Sequence, residues 1–235
     1  MSVVINYFSL GNDAVFELPG YPSNRYPSGK LVRESDELDC SYSWSECPVV
    51  IHKQKRTFIV KSVIDYDLVF DRENAKVSAT DLNILTYDEP GYNSPTPVFQ
   101  LDPPKFLFWT DVDNVWMEFC DHPMTSYSNN FVAVRGWFNL SNWSRLTSLG
   151  MTMIDETKPI SIKKGDPLFR INFYPPNLDD YIILEEEKDP DKIVDIIETY
   201  NDKSGKMGEN SDRWKPKLFT QTNKERKCPV AFLFK

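Results

Sequence analysis

The side chains best able to move protons sit close together in the chain: Asp111, Asp113, Glu118, Asp121 and His122. On a strand, Asp111 and Asp113 project to the same face, so their carboxylates could share a hard divalent cation or divide the roles of acid and base. With Glu118 and His122 they make the candidate catalytic set. The competing reading of Asp-Val-Asp-Asn is a turn whose carboxylates bond nearby backbone N–H groups. A second grouping, Arg135, Trp137 and Trp143 beside Phe138, could stack a planar ligand. Aromatic residues in and beside a buried strand serve equally as core.

Other chemistries find less support. Cys40 and Cys47 are too far apart for a zinc knuckle, and Cys120 with His122 lacks the Cys-x2-Cys geometry that pre-organises two ligands on one turn. With only two histidines, His52 and His122, a ferrous facial triad and a histidine-rich cupin site are both missing their ligands. Cys120 and His122 point the same way on a strand rather than toward each other, which is poor geometry for a nucleophile and its base. No Walker loop or dinucleotide fingerprint occurs, and Lys163-Lys164-Gly165-Asp166 lacks both the loop glycines and a following helix. The expectation is that the protein uses no metal and no cofactor.

Charge narrows the partners. Thirty-five acidic residues against twenty-seven basic ones give a net charge of −8, which repels a polyanion, so nucleic acid is disfavoured. The basic runs at Lys53, Lys55, Arg56 and at Lys224, Arg226, Lys227 are short and read as solvated edges. The N-terminal residues have neither a basic start nor a long apolar run, and no stretch is long enough to span a bilayer. Four scattered cysteines without a signal peptide favour reduced thiols and a cytoplasmic setting. The Asn-x-Ser matches beginning at Asn139 and Asn142 then read as parts of a polar turn.

The elements that must position these residues are mostly strands. Fifteen Phe, eleven Tyr and six Trp supply a large core, while seventeen Pro against nine Gly suit strands separated by rigid turns. Short β-branched runs predict strands over Pro48 to Ile51, Thr57 to Val63 and Tyr66 to Phe70, and aromatic runs predict them over Phe106 to Trp109, Val115 to Phe119 and Phe131 to Phe138. The proline-rich stretch from Glu17 to Lys30 reads as an ordered loop, and Asp88 to Pro104, with five prolines, as a long connection suited to a functional loop. Period-two alternation flanks Gly165, with Ile160 and Ile162 before it and Phe169, Ile171 and Phe173 after it, which predicts two strands joined by a tight turn. Beyond Glu185, Asp189-Pro190 makes an N-cap and first turn, and Ile193, Ile196, Ile197 and Tyr200 recur on one helical face. The fold expectation is mainly β: an antiparallel β-sandwich or jelly roll over residues 1–185, with one helix near 190–203 lying against one edge. Residues 186–235 are then that helix and a polar C-terminal extension packed on the same domain.

The block from Phe131 to Tyr174 resembles uncharacterised proteins of T4-like marine phages, in which a GWFN turn, an ETKPI strand start and a KRGDPL-type turn follow in similar order. Here those residues are Gly136 to Asn139, Glu156 to Ile160 and Lys164 to Leu168. The resemblance extends back through FLFWTDVDNVWMEF and HPMTS and implies a viral source. A looser resemblance links ISIKKGDPLFRINFY to the late strand-turn-strand of dUTPase-like and other jelly-roll proteins, where a glycine allows a sharp corner. The dUTPase catalytic aspartate and glycine-rich phosphate motifs have no counterpart in this sequence.

Two functional expectations follow. The first is a phage accessory or host-interaction protein that acts by binding a protein partner in the host cytoplasm. The second is an enzyme on a small, nucleotide-like or sugar-like substrate, using Asp111, Asp113, Glu118 or His122.

Overall fold

The computed structural model of the chain describes residues 1–11, 27–37, 47–71, 76–79, 85–86, 98–122, 125, 129–142, 144 and 146–204. The strands are β1 (Ser2–Leu10), β2 (Lys30–Arg33), β3 (Thr57–Lys61), β4 (Tyr66–Asp71), β5 (Lys76–Ala79), β6 (Leu85–Thr86), β7 (Val98–Trp109), β8 (Trp116–Asp121), β9 (Phe131–Ala133), β10 (Trp137–Asn139), β11 (Leu146–Met153), β12 (Ile160–Ile162), β13 (Pro167–Tyr174) and β14 (Tyr181–Glu186). The helices are α1 (Glu34–Glu37), α2 (Pro48–Gln54) and α3 (Pro190–Ser204).

A six-stranded sheet runs β14-β1-β7-β11-β9 with β6 also paired to β7; a five-stranded sheet runs β10-β8-β13-β3-β2; a small third sheet runs β12-β4-β5. The chain is therefore mainly β, with several antiparallel sheets and one C-terminal helix, an arrangement consistent with a β-sandwich. The pair β1 with β14 is parallel.

One apolar core joins all three sheets. Ile5, Phe106, Phe108 and Met151 enter it from the six-stranded sheet, Phe58, Met117, Ile171 and Phe173 from the five-stranded one, and Tyr66, Leu68 and Ile162 from the third. Phe108 and Phe173 meet edge to face with ring centroids 5.7 Å apart, which ties the two large sheets together. Arg33 fastens a second point. Its guanidinium donates to the carbonyls of Lys55 and Ile182 and lies 4.8 Å from the ring centroids of both Phe58 and Tyr181. Gly29 precedes β2 where Phe106 Cζ lies 2.4 Å from the place of a Cβ, so any side chain there would push the β2 entry off the core.

Several expectations change on contact with the fold. Pro48 to Ile51 is the start of α2 rather than a strand: Pro48 opens the helix behind extended Cys47, and His52 and Lys53 sit in the last turn, where cations favour the helix dipole. Residues 98–104, expected in a connection, belong to β7. Its register against β11 slips between Thr147 and Leu149, and the opposing β7 residues 102–105 form a bulge that accommodates the two prolines. The run from Phe131 to Phe138 splits into β9 and β10, which lie in different large sheets. Likewise β12 and β13 do not pair with each other. The turn between them, with Gly165 at φ +93°, hands the chain from the third sheet to the five-stranded one.

Helix α3 starts as expected, with Asp189 Oδ1 accepting the Asp191 N–H at 3.1 Å. It lies on the outer face of the six-stranded sheet rather than at an edge, because Ile193 has an apolar seat there among Phe8, Leu10, Leu107, Trp109 and Leu146. The proline-rich segment before Pro27, the rest of the 88–104 connection and the tail after Ser204 lie outside the described residues.

Candidate functional site

The outer face of the five-stranded sheet carries a connected polar and aromatic arrangement. Alternation along β8 and β13 sends Met117, Phe119, Ile171 and Phe173 inward and leaves Trp116, Glu118, Cys120, Arg170, Asn172 and Tyr174 outward. Register pairs Trp116 with Tyr174, Glu118 with Asn172 and Cys120 with Arg170, while β10 sets Trp137 opposite Glu118. Cross-strand neighbours on one face are in reach of each other, and Glu118 and Asn172 use it.

Asn172 is the centre of a hydrogen-bond network. Its Nδ2 donates to Glu118 Oε2 at 3.1 Å and to Cys120 Sγ at 3.1 Å, while Thr57 Oγ1 donates to Asn172 Oδ1 at 2.8 Å. Tyr174 donates its hydroxyl to Glu118 Oε2 at 2.6 Å. Burial, then the hydrogen bond and charge of Glu118, push the Tyr174 phenol above its ordinary value, so it remains a donor. Burial and Glu118 also raise the Cys120 thiol, which keeps it protonated and a poor nucleophile.

Two more buried groups continue the face. Arg170 forms an ion pair with Glu34 of α1, whose side chain is 5% exposed. His122 Nδ1 lies 2.9 Å from Thr125 Oγ1, and burial, with the nearby Arg170 charge, lowers its pKa to about 4. This imidazole is neutral at pH 7.

At the other end of the face the aromatic rings form a shelf. Trp137 stacks on Tyr174 with centroids 4.9 Å apart and planes 9° apart, and Trp116 lies 6.0 Å from Trp137 at a tilt. Trp116 Nε1 donates to Asn114 Oδ1 at 3.1 Å, and Asn114 holds φ 61°, a left-handed turn position that Asn tolerates. Trp137 nevertheless remains 52% exposed.

The sequence-derived candidates are placed unevenly. Asp111 and Asp113 are exposed in the turn between β7 and β8, as the turn reading has it. Glu118 is held by Asn172 and Tyr174, and His122 by Thr125. Among the described residues no hydrogen bond or ion pair joins any two of these four, and no three His, Cys, Asp or Glu side chains converge as metal ligands would. Arg135 is mostly exposed and lies 3.5 Å from Asp121. Trp143, like Cys40, lies outside the described residues.

What the structure brings together is Glu118 and Trp137, which the sequence reading had put in separate groups. No protein-family model matches this chain, and no curated protein matches it. Among solved structures the similarity found is weak. A mutant of the Staphylococcus bacteriophage 80alpha dUTPase with dUpNHpp aligns over 69% of this chain and 90% of its own, at 7% identity and a TM-score of 0.32.

Asn172, Tyr174, Thr57, Arg170 and Glu34 went unnoticed as members of a site. The signal for two of them was present, since Arg170 and Asn172 are the polar positions of the alternating run from Phe169 to Phe173. A polar residue between buried neighbours is read as solvent-facing by default, whereas here cross-strand side chains engage Asn172 and Glu34 of α1 engages Arg170.

Proposed function

We propose that this chain acts by binding a protein partner through the Trp137 shelf, with a lysine- or arginine-bearing segment of the partner laid across it. The observation that carries this reading is Trp137 itself, half exposed yet locked by stacking on Tyr174, with the Glu118 carboxylate as its cross-strand neighbour. A fixed aromatic face beside an acidic group attracts a cation by its quadrupole and by charge. The net charge of −8 and exposed Asp113 in the adjoining turn add long-range attraction for a basic segment. The resemblance of residues 131–174 to proteins of marine phages implies a viral source and supports, as part of this proposal, an accessory or host-interaction protein of a bacteriophage that acts in the host cytoplasm.

Affinity capture from host lysate with the wild type and with Trp137→Ala tests it, followed by titration with a synthetic peptide from any basic segment of the retained protein. The peptide is expected to lose on the order of ten-fold in affinity against Trp137→Ala, the scale of one good cation–aromatic contact. Asp113→Ala, a solvated turn residue, is expected to change stability by less than about 0.5 kcal/mol. Capture unchanged by Trp137→Ala sinks the proposal. Turnover of a nucleotide or sugar substrate, abolished by Asp113→Asn or Glu118→Gln, would put the enzymatic reading in its place.

A further inference from the structure

A second surface, away from the shelf, has the opposite charge. Lys30 and Lys61 face each other directly across β2 and β3. Leu31 and Val60 point into the core, so the two lysines share the outer face. Like charges directly opposite on a sheet are destabilising. Lys164, in the turn between β12 and β13, brings a third ammonium to the same place. The three line a groove of about 430 Å³ whose other walls include Pro27, Val32 and Val63.

Among the described residues the local acids pair with one of the three groove ammonium groups and leave two without an ion pair. Glu37 pairs with Lys61 at 2.8 Å. Asp65 is engaged by the Lys164 backbone N–H at 2.7 Å and faces Lys163 Nζ at 3.8 Å, and Asp166 accepts the Lys163 backbone N–H at 2.9 Å. Lys30 and Lys164 are exposed and have no ion pair among the described residues. At Gly165, where a Cβ would meet nothing within 4 Å, the space above the turn is open.

We propose that this groove binds a small phosphate monoester with an apolar body. A monoester carries about two negative charges at neutral pH, which matches the two unpaired ammonium groups, and its oxygens can bridge lysines that otherwise repel. Pro27, Val32 and Val63 offer apolar surface to the rest of the molecule. The volume falls within the range of small-molecule sites, roughly 300–1,000 Å³. The lysines sit on three different segments, so the site exists only in the folded sheet.

Titration of the full chain with phenyl phosphate, followed by amide NMR, tests this. Shifts are expected to concentrate at residues 28–32, 61–65 and 163–166, and Lys30→Glu combined with Lys164→Glu is expected to weaken binding by on the order of ten-fold or more, the effect of losing charge-assisted hydrogen bonds. Glu37→Gln frees Lys61 and should tighten binding. Lys158→Glu, whose lysine is paired with Asp155 elsewhere, serves as the control and should leave binding unchanged. Inorganic phosphate should bind more weakly than phenyl phosphate, and equal binding would overturn the apolar body. Scattered shifts, or binding indifferent to the double charge reversal, would overturn the site. Binding to phosphatidic acid vesicles without binding to phenyl phosphate would overturn a free small molecule as the ligand.

Discussion

The two faces of the five-stranded sheet come from the same strands and obey different rules. Inward, Phe58, Met117, Ile171 and Phe173 meet other apolar groups with no directional demand beyond shape. Outward, Glu118, Cys120, Asn172 and Thr57 are held by a network of directional hydrogen bonds that needs particular partners in particular places. The inner face stabilises by the area it removes from water, and the outer face fixes positions. Position is what the Trp137 shelf needs, because the network that holds Glu118 also holds Tyr174 beneath the indole.

The largest expected effect belongs to the inner face. Phe173 is fully buried and touches Phe58 at 5.8 Å and Phe108 at 5.7 Å between ring centroids, so it bonds its own sheet and the facing one. Phe173→Ala is expected to lose about 3–5 kcal/mol in urea denaturation, the transfer energy of the ring plus the cavity it leaves. A loss below about 1 kcal/mol would mean that the site collapses freely and that the inner face is not the source of stability.

Asn172→Ala sharpens the contrast at the neighbouring position on the opposite face. It removes few apolar contacts but leaves the Thr57 hydroxyl with the Lys53 carbonyl alone, and takes a donor from Glu118 and another from Cys120. The expected loss is about 1–3 kcal/mol, the range for leaving buried polar groups unsatisfied. A second readout separates position from stability: freed of Asn172, Glu118 no longer fixes Tyr174, and the fluorescence of the Trp137 shelf should change. A stability loss equal to that of Phe173→Ala with unaltered fluorescence would erase the distinction between the faces.

The inner face was largely legible in the sequence and the outer one was not. Alternation of Phe169, Ile171 and Phe173 is a local fact, visible without knowing any partner strand, and Asp189-Pro190 announces α3 through its own capping chemistry. The outer network depends on register. Glu118 meets Asn172 and Trp137 through two separate strand pairings, and Arg170 finds Glu34 far back in the chain. Grouping by chain proximity placed Glu118 with Asp111 and Asp113, whose side chains remain in solvent. The same limit explains α2: the β-branched run at Val49 to Ile51 has strand propensity, but Pro48 at the first turn decides for helix. It also explains Gly165, where the turn was visible in the sequence and the change of sheet was not.

The smallest effect at neutral pH, and the one most specific to the outer face, concerns His122. Burial and the Arg170 charge lower its pKa from 6.5 to about 4 in the folded chain. The unfolded chain therefore takes up this proton first, and the contribution of His122 to stability is complete above pH 6.5 and drains away as the pH falls toward 4. Carboxylates held low in the fold act in the same direction but later: Asp155, lowered from 3.8 to about 2, loses its contribution only beneath its own ordinary value, and Glu187, lowered from 4.5, does so beneath that value. The interval between pH 6.5 and 4.5 is thus the one in which the imidazole is separable from these acids. His122→Gln keeps a polar group near Thr125 and removes the titration, so its urea midpoint is expected to stay flatter than that of the wild type across this interval. Parallel midpoint curves for the two proteins would show that the imidazole takes up its proton equally well in the folded chain, and that this end of the outer face is open to water rather than buried beside the Arg170 charge.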